Sequence, residues 1–139
     1  MSADVLTRPQ PSYRWRVASR VGLVLAGIMS VFNVINGVGS LLDPRFGQVD
    51  STVAAQPAWM SIALIVFGTA TLAAIVPAWR ANRTAIWVVV VSRLAEAWSA
   101  IVLPFLPDAP DGIVAFAVII IVVGTAISGL VALGLRQPS

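Results

Sequence analysis

With 139 residues the chain has the length of one domain, but 58% of it is hydrophobic and only 11% charged, against roughly 45–50% and about 25% in soluble domains. The mean hydropathy of +0.91 excludes an ordinary soluble globule and points to helices that face lipid. Cysteine and histidine are both absent, which removes disulfides, thiol nucleophiles, thiolate or imidazole metal sites and the usual neutral-pH general base.

The net charge of +3 comes from arginine alone, since the sequence contains no lysine. Those arginines flank apolar runs, so they read as topology signals, and no nucleic-acid partner is expected. Arginine without lysine, amid much Ala and Val, suggests a GC-rich bacterial genome.

Residues 1–18 form an Arg-rich segment containing Arg8, Arg14 and Arg16. Four runs follow, at about 19–42, 58–79, 85–103 and 112–135, each long enough to cross ~30 Å of hydrocarbon as a helix of ~20 residues. The first admits a rival reading as a signal peptide, with Gly37-Val38-Gly39 imitating a cleavage site. Its length exceeds a typical signal core, which favours a retained helix. Between the runs lie turn-forming stretches: Asp43-Pro44-Arg45 through Gln56-Pro57, Arg80-Ala81-Asn82-Arg83, and Pro107 through Gly112. Residues 137–139 form a short tail. Pro77 and Pro104 fall near helix ends and mark termination rather than hinges.

Arg8, Arg14, Arg16, Arg20, Arg80, Arg83 and Arg136 all fall on one side of the four runs, whereas Asp43, Asp50, Asp108 and Asp111 share the other with Arg45. This bias predicts a multi-pass protein of the cell membrane with both termini cytoplasmic. Trp15, Trp79 and Trp87 near one boundary and Trp59 near the other agree with interfacial placement. The predicted fold is therefore all-α, an integral membrane four-helix bundle.

Two short matches suggest that it consists of two pseudo-symmetric hairpins. Ser19-Arg20-Val21-Gly22 aligns with Ser92-Arg93-Leu94-Ala95, and Gly68-Thr69-Ala70, ending at Arg80, aligns with Gly124-Thr125-Ala126, ending at Arg136.

The chemical anomaly is Arg93 with Glu96, midway through the third run. An arginine at that depth costs around 2.5–3.5 kcal/mol on insertion scales, so the pair is expected to face protein or water. At i and i+3 the two side chains share a helix face, which Ser92 and Ser99 extend. The first run carries a seam of small and polar residues at Gly22, Ala26, Ser30, Asn33, Gly37 and Ser40, with Asn36 beside it. Counting along the helices puts Asn33, Thr69, Thr125 and Ser128 near the depth of Glu96. The first and third helices are thus expected to meet around a polar layer centred on Arg93, Glu96 and Asn33. One reading makes the layer structural; a second makes it a ligand, ion or proton site where Glu96 binds a cation or exchanges protons while Arg93 tunes it or holds an anion; a third makes it a contact with a polar group of another subunit.

In helix count, and in the Arg-led first helix ending Gly39-Ser40-Leu41-Leu42-Asp43-Pro44, the chain resembles the DoxX-like group of small bacterial four-helix membrane proteins. That resemblance implies a fold and no particular activity. The small multidrug transporters also have four helices and a membrane glutamate, but theirs lies in the first helix, so no residue carries over. No catalytic residue, metal or cofactor is expected. The function expected is that of a non-enzymatic accessory or self-associating bundle, whose partners are the lipid bilayer and a homo-oligomer or larger membrane complex. The alternative is a small carrier or channel-like protein using Arg93 and Glu96.

Overall fold

The computed structural model describes residues 11–46, 56–106, 109 and 111–136; Arg8, Asp50, Asp108 and the 137–139 tail lie outside them. Among the described residues there is no strand: the chain forms α1 (Pro11–Leu42), α2 (Ala58–Trp79), α3 (Arg83–Ser99) and α4 (Ile113–Ala132), with 3-10 turns at Ala100–Phe105 and Leu133–Arg136. All four helices, counted with their 3-10 extensions, are long and apolar enough to cross a membrane.

Helix α1 is already formed at Pro11, ahead of the start expected near Ser19. No glycine or further proline interrupts residues 12–21, so nothing there stops the helix. Helix α3 tightens to 3-10 geometry at Ala100, ahead of Pro104, whose missing N–H and bulky ring oppose a regular α-helical last turn. At its other end Asn82 caps α3 by accepting a hydrogen bond from the Ala85 N–H at 3.1 Å.

The turn after α2 is a Schellman motif: the Ala81 N–H donates to the Ala78 carbonyl at 2.9 Å and the Asn82 N–H to the Pro77 carbonyl at 3.1 Å. Ala81 occupies the left-handed position, with φ 62°, where a Cβ crowds the backbone and glycine is preferred. Ala81→Gly is expected to stabilise the protein by roughly 1 kcal/mol, measured as a higher thermal midpoint in detergent.

The helices run up and down in cyclic order, α1 against α2, α2 against α3, α3 against α4, and α4 back against α1. Helices α1 and α3 are therefore diagonal, not the adjacent pair expected to share a polar seam. The small face of α1 does point inward, but onto its neighbours α2 and α4. A Cβ at Gly37 would lie 2.7 Å from the Ser61 carbonyl oxygen, and one at Gly22 would lie 2.8 Å from the Val131 nitrogen. Glycine is thus needed where α1 meets the backbones of α2 and α4.

The two ends of the bundle are packed differently. Leu23, Ala26, Ala74, Ala78, Ile86, Val89, Val90, Ile127 and Val131 form a buried apolar cluster toward the arginine-rich end. Toward the other end the buried residues are mainly small or polar, including Ser30, Gly37, Ser40, Ser61 and Gly68.

Candidate functional site

Arg93 is 3% exposed and lies ten residues into α3, ~15 Å from its start at the α-helical rise. Its Nη2 donates to the Glu96 Oε2 in an i, i+3 ion pair, and its Nε donates to the Thr71 Oγ1 at 3.3 Å. The Thr71 hydroxyl in turn donates to the Phe67 carbonyl at 2.9 Å. One guanidinium thereby ties α3 to α2, with the local carboxylate balancing its charge. On the other side Gly124 brings α4 onto α3, since a Cβ there would run into the Ala97 Cβ.

Beside the pair lies a cavity of about 20 Å³ lined by Met29, Arg93, Glu96, Ala97, Ile120 and Gly124. That volume suffices for one water, which needs at least ~10–15 Å³. Among the described residues no group of three or more acidic, His or Cys side chains is arranged to hold a metal ion.

Of the other residues expected in the layer, Ser92 is buried and Ser99 is half-buried, its hydroxyl donating to the Glu96 carbonyl at 2.6 Å. Ser128 is buried on α4, but its hydroxyl donates to the Gly124 carbonyl at 2.8 Å, within its own helix. Asn36 is half-buried on α1. Asn33 is not joined to the pair: its Nδ2 is enclosed without a hydrogen-bond partner. Thr69 and Thr125 correct the expectation most plainly, because both are exposed on the outer surface. They share the depth of the layer but lie on the wrong side of their helices.

Thr71 was missed by counting depth alone. Two residues advance a helix by about 200°, so Thr69 and Thr71 point in nearly opposite directions. The buried stripe Ser61, Gly68, Thr71, Ala74 and Ala78 was present in the sequence as small residues at three-, four- and seven-residue steps.

The enclosed Asn33 amide also gives an expectation. Asn33→Leu should leave the thermal midpoint unchanged or raise it, because an unpaired buried donor is removed without breaking a bond. A marked fall would mean that Asn33 has a partner.

Compared with family models, curated proteins and solved structures, the chain gives no significant match.

Proposed function

We propose that this chain is a non-enzymatic polytopic protein of the cell membrane, with both termini cytoplasmic, acting as an accessory or self-associating bundle of the DoxX-like type. The observation that carries the reading is the closed state of the polar layer. Arg93 bonds both Glu96 and Thr71, and the space beside them, about 20 Å³, has room for one water and none for a larger solute. A carrier needs its buried charges accessible to cargo, whereas a structural clasp needs them occupied.

The outer surface supports association. Exposed Thr69 and Ala73 on α2, and Thr125, Ala126 and Gly129 on α4, present small side chains among exposed Val and Ile, and a Cβ at Gly129 would meet nothing within 4 Å. Small residues in lipid allow close approach by another helix. The arginine bias supports the orientation, and the two glycine-bearing second helices, with Gly68 against α1 and Gly124 against α3, support a pseudo-symmetric pair of hairpins.

Two differently tagged copies co-expressed in native membranes test the assignment. Co-purification of the second copy, or of a stoichiometric membrane partner, is expected. In proteoliposomes no ion or proton flux should depend on Glu96. A pH-driven flux abolished by Glu96→Gln in a folded bundle would replace this reading with the carrier. The absence of cysteine makes orientation directly measurable: Ala81→Cys should react with a membrane-impermeant maleimide only from the cytoplasmic side, and Asp111→Cys only from the opposite side.

A further inference from the structure

A second cavity, of about 280 Å³, lies at the arginine-rich end between α1 and the end of α2. Arg16, Arg20 and Arg80 line it, with Leu23 and Ala78 supplying apolar wall and Ser19 standing beside them. Arg16 and Arg20 are four residues apart on α1, a like-charge spacing that is mildly unfavourable by itself. Arg80 adds a third cation from the C-cap of the neighbouring α2.

The described acidic residues, Asp43, Glu96 and Asp111, lie at the other end or at mid-helix, so among the described residues no carboxylate balances this group. The remaining acid at this end of the sequence, Asp4, precedes the described residues. A topology signal requires arginines at this end, but not arginines around one cleft. Arg14 and Arg83 are exposed at the same end and do not line it.

The donors are also arranged. The Arg20 guanidinium lies 5.3 Å from the centroid of the Trp79 ring, so stacking occupies its face and leaves its in-plane N–H groups available. Ser19 donates its hydroxyl hydrogen to the Val131 carbonyl at 3.3 Å, so the charged donors of the cleft are the guanidinium groups. Planar guanidinium forks around a cleft match the oxygens of a phosphate, and basic pockets between membrane helices hold anionic headgroups.

We propose that this cleft binds a phosphate-bearing anion, carried either by the headgroup of an anionic phospholipid or by a free phosphate compound. The lipid source rests on the membrane reading above; the phosphate chemistry does not. The full chain in detergent would be titrated with phosphatidylglycerol, phosphatidylcholine or inorganic phosphate, with bound adducts counted by native mass spectrometry. The double variant Arg20→Gln/Arg80→Gln removes two cleft cations, and Arg14→Gln/Arg83→Gln removes two from the same end outside the cleft.

The cleft variant should bind phosphatidylglycerol roughly tenfold more weakly than the control, with phosphatidylcholine binding unchanged. Cleft-dependent loss of inorganic phosphate binding without any lipid preference would support the site and assign the soluble source. Equal behaviour of the two double variants, or no preference for either anion in the parent, would overturn the proposal. Should the cleft double variant not fold, Arg16→Gln alone, at an exposed position, is read against Arg14→Gln by the same criteria. Failure of the membrane reading would instead appear as a chain extracted from membranes without detergent, whatever its phosphate binding.

Discussion

Glu96→Gln and Arg93→Met are each expected to destabilise the bundle by about 3–5 kcal/mol, and the double replacement to recover most of that loss. Either single change leaves a buried charge without its counterion; the double change leaves none. Thr71→Val should cost less, about 1.5–3 kcal/mol, because it removes one hydrogen bond to a charged donor and spares the ion pair. Reversible unfolding in detergent micelles, followed by tryptophan fluorescence, measures all four variants on one scale. Purely additive losses in the double variant would show that the two side chains do not interact. Near-complete recovery is what a clasp requires, since nothing else in the site would then depend on the charges.

Gly124→Ala is expected to lose about 1–3 kcal/mol through overpacking, and Ala97→Gly in the same chain to restore the parent stability. The sign follows from two opposing effects. Alanine for glycine favours a helix by about 1 kcal/mol, but the added Cβ meets the Ala97 Cβ across the α3–α4 contact. Removing that Cβ opens the space and reverses the propensity change, so the double variant exchanges one methyl between facing helices. Gly129→Ala serves as the reference for the monomeric bundle in detergent: with nothing within 4 Å inside the bundle, it should show there only the propensity gain of up to about 1 kcal/mol. If Gly124→Ala matched Gly129→Ala, α3 and α4 would not be in close contact at this level.

The helices were legible because the apolar runs and their proline and arginine punctuation are strong local signals. The onset of α1 was less so, because Arg14, Arg16 and Trp15 look like a flanking segment to a hydropathy count although nothing in them stops a helix. In the polar layer, residue counting gives a level but not a direction. It placed Arg93 and Glu96 with Thr69, Thr125 and Ser128; of these last three only Ser128 is buried, while the buried face of α2 belongs to Thr71. Diagonal placement of α1 and α3 was beyond a reading that paired helices by similar polarity, since helix order is set by short connections and by where glycine permits contact. The cleft at the arginine-rich end was illegible for another reason: charge bias marks a side of the membrane, whereas a cleft depends on which arginines converge in space.

On the membrane reading proposed above, the length of α1 bears on how the protein would meet bilayers of different thickness. Its 32 residues extend ~48 Å, against ~30 Å of hydrocarbon. The uncharged stretch from Arg20 to Asp43 covers ~34 Å of that length at the same rise. Sliding the bundle away from the arginine-rich side would draw Arg20, Arg80 and Arg136 toward hydrocarbon together, at a cost of several kcal/mol. In that placement the vertical position would therefore be anchored at that end. A thicker or thinner membrane must be accommodated at the other, through tilt of the helices and the depth of the connections around Asp43 and Asp111.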